Sequence, residues 1–194
     1  MQRKFCDSGE SSITRQRDAH FAKGQVLRAQ HRFAEAIPEY ETALASNRNW
    51  VSPLHWLGHC KFFAGSIEDM IPLVEPAIRL SPRDPQLGPW YSEIGRVYLL
   101  QSRTDEAIVW LEKARSAAPA LAYIRAILAS AYALKGDAER AVTELTEAHT
   151  LVSDDRYSSL ARLRAVSNLG VLKVEALLES TYFAELRKAG MPEK

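Results

Sequence analysis

Apolar residues recur every three or four positions along most of the chain, with polar residues between them. That is the period of helices that bury one face. A longer period is laid over it by small residues. Gly24, Gly58, Gly95 and Ala129 sit inside helical stretches, 34, 37 and 34 residues apart (58−24, 95−58, 129−95). Twelve positions after them come Ala36, Met70, Ala107 and Ala141, and seven further on Ala43, Ala77, Ala114 and Ala148. Large apolar residues stand between: Tyr40, Val74, Leu111 and Leu145. Pro82 and Pro119 close the second and third repeats, and Arg48 and Ser153 hold the same place in the first and fourth.

This order predicts four helical hairpins, over about 17–50, 51–84, 88–121 and 122–155. A small residue on the first helix of each lets the backbone of the second approach. The large residue fills the space between them, and the proline stops the second helix. Gly65 and Gly136 are placed to end first helices, as glycine commonly does. Thr104 and Asp137 are placed to cap the helices that follow, and Pro53 and Pro89 suit first turns. The segment SPRDPQLGP holds three prolines and reads as a longer loop, a local bend within one array and not a domain boundary. Residues 1–16 are polar and predicted to be a flexible segment. Beyond Asp155, Tyr157–Val166 reads as a short helix and Leu172–Lys188 as an amphipathic one. Residues 156–194 are expected to cap the open face of the fourth hairpin.

A 34-residue period with small and large residues in this order resembles the tetratricopeptide-repeat (TPR) family. The second repeat, LHWLGHCKFFAGSIEDMIPLVEPAIRLSP, and the third, WYSEIGRVYLLQSRTDEAIVWLEKARSAAP, carry it best. Lys23 and Arg125 depart from it, standing where a large apolar residue is common. The resemblance implies an all-α, right-handed superhelix of about four hairpins plus C-terminal capping helices, with a concave groove for a protein or peptide. It also implies which positions face that groove. They are Phe21, Gln25 and Arg28 in the first hairpin and His55, His59 and Phe62 in the second. Ser92 and Arg96 follow in the third, and Tyr123 and Ser130 in the fourth. Phe21 and Gln25 replace the lysine and asparagine of the chaperone-type carboxylate clamp, so that mode is not expected. The last stretch, ARLRAVSNLGVLKVEALLESTYFAELRKAGMPEK, resembles the TPR region that follows a class III adenylate/guanylate cyclase or winged-helix domain in bacterial regulators. Two alternatives stay open: the last helix fills the groove, or it pairs two chains together with Phe62, Phe63 and Trp110.

Charge adds little. Lys and Arg total 25 against 24 Asp and Glu, a net charge of +1, so nothing draws the whole chain to nucleic acid or anionic membrane. No run of 18 apolar residues would span a bilayer, and the N-terminal segment has no secretory core. Cys6 and Cys60 form no motif, and a reduced thiol at Cys60 suits a cytoplasmic protein. His55 and His59 are four apart on one helix but have no evident third ligand, so no metal is expected. Serine-nucleophile elbows and phosphate-binding glycine loops are absent, which points away from an enzyme and from any cofactor.

Overall fold

A computed structural model describes residues 6–194, with side chains from Ser12 onward. Every regular element among them is helical. The chain divides into two compact units, one up to Ser81 and one over Pro82–Lys194. The division falls inside SPRDPQLGP, so the loop expected to be only a bend is where the two units part.

The first unit holds two hairpins: α1 (Cys6–Ala29) with α2 (Phe33–Ala45), and α3 (Val51–Phe63) with α4 (Ile71–Leu80). A single 3₁₀ turn, Ile67–Asp69, links the second pair. The second unit holds α5 (Leu87–Leu100) with α6 (Thr104–Ala117), then α7 (Ala122–Lys135) with α8 (Ala138–Thr150). After these come α9 (Leu160–Val166), α10 (Leu172–Leu178), a π-helical turn over Glu179–Phe183 and α11 (Ala184–Lys188). Helix α1 begins at Cys6, well before the Arg17 boundary expected for a flexible segment. No proline interrupts this run, and residues 1–5 of that segment lie outside the described residues.

Close approach of paired helices explains the long period. A Cβ on Gly24 would lie 2.8 Å from Cε1 of Tyr40, and one on Gly95 only 2.6 Å from Cγ of Leu111. One on Gly58 would meet Val74 Cγ2 and the Met70 carbonyl at 3.3 Å. The small residue therefore receives the large residue of its own hairpin. Ala36, Ala43, Met70, Ala77, Ala107, Ala114, Ala141 and Ala148 are all fully buried. The two polar departures are compensated by ion pairs across their hairpins. Lys23 Nζ and His20 Nδ1 each lie 2.6 Å from Glu39, and together they hold that carboxyl below its usual range. Arg125 donates to Glu144 at 2.8 Å, and Arg115 pairs with the same buried carboxylate.

The turns between paired helices repeat as well. His31, Gly65, Ser102 and Gly136 occupy one equivalent position and share a positive φ of 58°, 103°, 57° and 86°. In each, the next N–H reaches back five residues at 2.9 Å: Arg32 to Leu27, Ser66 to Lys61, Arg103 to Tyr98 and Asp137 to Tyr132. This bond closes the helix end with a left-handed residue, a conformation that disfavours side chains with a Cβ. Asp137 caps α8 as expected, accepting from the Arg140 N–H at 3.1 Å. Thr104 does not cap α6. It is the first helical residue, and the cap position belongs to Arg103, whose side chain holds Glu106 at 2.7 Å.

Two substitution sets test this account. Gly95→Val should destabilise the chain by about 1–3 kcal/mol, because overpacking exceeds the gain in helix propensity. Chemical unfolding midpoints would show it. Ser102→Gly should stabilise by about 0.5–1 kcal/mol and Gly136→Ala should cost a similar amount, since a Cβ on Gly136 meets nothing within 4 Å and only conformation is at stake.

Candidate functional site

In TPR-like hairpins the inward face belongs to the first helices, here α1 and α3 in one unit and α5 and α7 in the other. The two faces differ sharply.

On α1 and α3 the expected residues come together as an aromatic and cationic cluster. The Phe21 ring lies 4.8 Å from Trp50 and 6.1 Å from Tyr40. Gln25 Oε1 accepts from Arg28 Nε at 3.0 Å and from the Tyr40 hydroxyl at 3.2 Å. That brace lays the Arg28 guanidinium over Trp56, 3.8 Å from the ring centroid. Among the described residues, Arg28 has no carboxylate within ion-pair range. His55 and His59, with ring centroids 6.5 Å apart, both border Trp56. His59 also packs on Phe33 and Phe63. Phe21, Gln25, Arg28, Trp56 and His59 are half-buried. His55 is buried and Phe62 is fully enclosed, so Phe62 does not line a surface as expected. Phe63 is buried too, which removes both rings from the apolar patch considered for pairing chains. A second stacked arginine, Arg17 over Trp50 at 4.5 Å, is already held by Asp18 at 3.0 Å.

The tryptophans were missing from the expected set. Trp56 sits one place beyond an inward position, and it joins the set because the Arg28 guanidinium of α1 lies over its ring. Among the described residues, no group of three histidine, cysteine or acidic side chains is placed to hold a metal ion. No described helix is long and apolar enough to cross a membrane.

On α5 and α7 the face is covered. Helix α11 packs on α7, and the π turn touches both α7 and α5. Tyr182, Phe183 and Leu186 are buried there, and Ser92, Ala126 and Ser130 lie beneath a covered surface. Arg96 is half-buried. Burial pulls its guanidinium below the usual value, against the opposing pull of Glu93, Tyr123 and Tyr182. Of the four predicted residues in this unit, Ser92 and Ser130 are buried, Arg96 is half-buried and Tyr123 is 38% exposed. The C-terminal helices thus lie along the inner face and do not cap the outer face of the fourth hairpin, where Val142 stays 51% exposed.

Burial raises several phenols: Tyr157 and Tyr132 to about 12, and Tyr182 further. A raised phenol keeps its proton in the fold while the unfolded chain loses it above about pH 10. The unfolded state then binds fewer protons, so stability is whole below that pH and falls as pH rises. Tyr182→Phe should reduce the loss of stability between about pH 9 and 11, read from denaturant midpoints.

No family model matches the chain, and no curated protein matches it. Solved structures do, and they are helical repeats. MamA from Desulfovibrio magneticus RS-1 superposes with a TM-score of 0.65 at 17% identity, covering 90% of this chain and 94% of that one. A thermophilic TPR protein of Thermus thermophilus, TTC0263, gives 0.62 at 20% identity, with 89% and 91% covered. Cut9, from a structure of the APC/C hetero-tetramer Cut9–Hcn1, gives 0.65 at 16% identity over 83% of this chain and 29% of its own. The fold is therefore that of an all-helical tetratricopeptide repeat. None of the structures named is a cyclase or a winged-helix regulator.

Proposed function

We propose that this chain is a non-catalytic protein-interaction scaffold, and that a protein or peptide segment binds on the α1–α3 face of the first compact unit. The observation that carries this reading is Arg28, laid on Trp56 and braced by Gln25, with no carboxylate of the described residues against it. A stacked guanidinium keeps its N–H edge free for an incoming carboxylate, while the aromatic face beside it gives area to apolar side chains. Phe21 and His59 flank it and extend that area. A groove of this kind takes an extended peptide or a short helix. Cut9, which has the same kind of fold, forms a hetero-tetramer with Hcn1, and that assembly supports a binding role. The buried thiol of Cys60 supports a cytoplasmic location. The C-terminal resemblance supports a regulatory array of the kind joined to cyclase or winged-helix domains. No cofactor is invoked.

Arg28→Ala tests the site. Wild-type and variant chains, matched for helicity by circular dichroism, are immobilised and exposed to a bacterial lysate. A protein held by the wild type should be lost about 5- to 100-fold on the variant, the range for a central arginine. Equal retention by both chains would remove Arg28 from the binding surface.

A further inference from the structure

On the other face, in the second compact unit, the chain carries its own occupant. Residues 179–191 lie on α5 and α7 where an external ligand of a TPR-like face would lie. Ion pairs and hydrogen bonds tie this segment to α9 and to the tail. Arg164 holds Glu179 at 2.6 and 2.8 Å and Glu193 at 2.8 Å, with its guanidinium 4.9 Å from the centre of the Phe183 ring. The N–H groups of Leu160 and Ala161 donate to the carbonyls of Pro192 and Glu193 at 2.8 and 3.1 Å. Tyr182, Phe183 and Leu186 of the segment are buried, and Tyr182 interacts electrostatically with Arg96 of α5.

The occupant is imperfect in two ways. Its helix widens to a π turn at Glu179–Phe183, a break in the regular hydrogen-bond ladder. More tellingly, it buries a carboxylate. Glu185 is 3% exposed. One oxygen meets Lys188 at 2.6 Å, but Oε2 is buried with no hydrogen-bond partner. A buried acceptor left unsatisfied weakens the contact that contains it. A segment joined to its site by a short tether also competes at millimolar effective concentration, so a poor fit suffices to keep the face covered until a better ligand arrives.

We infer that the α5–α7 face is a binding groove for an amphipathic helix, and that residues 179–191 are a displaceable internal ligand held below optimal affinity by Glu185. The partner is a helix that presents two adjacent aromatic residues and a leucine one turn on, matching Tyr182, Phe183 and Leu186, with a neutral residue in place of Glu185. The mechanism is competition: apparent affinity equals intrinsic affinity multiplied by the fraction of chains whose face is uncovered. This face is separate from the α1–α3 site, so either reading fails without the other.

The probe is a fluorescein-labelled peptide of residues 172–191 carrying Glu185→Leu, titrated by anisotropy into three full-length chains. Wild type should bind it measurably. A Phe183→Ala, Leu186→Ala chain, whose own segment docks less well, should bind it at least tenfold more tightly. A Glu185→Leu chain, whose own segment docks better, should bind it at least tenfold more weakly and melt at a higher temperature. Equal affinity across the three chains overturns the proposal. So does global loss of helicity in the double variant, because the segment would then be an inseparable part of the core. A lower melting temperature for the Glu185→Leu chain overturns it independently, since the carboxylate would then be holding the structure together.

Discussion

The structure depends on one steric constraint, the fit of a large side chain into the space left by a missing one. Tyr40 lies against Gly24, Val74 against Gly58 and Leu111 against Gly95, in each case too close for a Cβ without movement. Protein interiors are packed at crystal density, so a single atom at such a contact is felt. Because each pair joins the two helices of one hairpin, the constraint acts locally and recurs with the repeat. Stability in such arrays is a sum of hairpins and their nearest neighbours, which lets each be read alone. The departures at Lys23 and Arg125 fit the same logic. Where the apolar residue is lost, an ion pair across the same two helices replaces it, with Glu39 in one case and Glu144 in the other.

That constraint is also why the fold is legible in the amino-acid order alone. The spacing of Gly24, Gly58, Gly95 and Ala129 is a direct record of helix contacts, and so are the buried alanines that follow. The turn residues are half legible. Gly65 and Gly136 announce a left-handed residue by their chemistry, whereas His31 and Ser102 adopt it with nothing in their identity to say so. Backbone geometry imposed by the repeat overrides local preference there. The start of α1 is hidden for a related reason, since a polar run shows no apolar period whether or not it is helical.

The candidate sites are legible only as positions. Counting places along the first helices finds Phe21, Gln25, Arg28 and His59, but not Trp56, which joins them under the Arg28 guanidinium. The same count puts Phe62 at the surface although it is fully buried, and gives no sign that Ser92 and Ser130 are covered. Periodicity tells which side of a helix is inward. It does not tell what else in the chain reaches that side. The amphipathic character of Leu172–Lys188 is plain, yet an apolar stripe fits an end cap and an inner groove equally well.

What separates those two destinations is the company each keeps. An end cap meets the outer face of the last hairpin, where Val142 is still half exposed. The inner face offers Arg96, Tyr123 and two buried serines beside apolar ground. A helix that settles there covers the groups usually reserved for a ligand. Its own polar anchors, Arg164 with Glu179 and Glu193, run back to α9 and the tail, away from the hairpins. The segment buries Tyr182, Phe183 and Leu186 together with a carboxylate oxygen that has no hydrogen-bond partner. An unpaired buried acceptor costs about 1–3 kcal/mol, so the contact that contains it is weaker than a neutral side chain would make it. One face is therefore covered by a segment of the chain itself and the other presents Arg28 on Trp56 half-buried, and that contrast is the physical ground for treating the two faces of this chain as different kinds of surface.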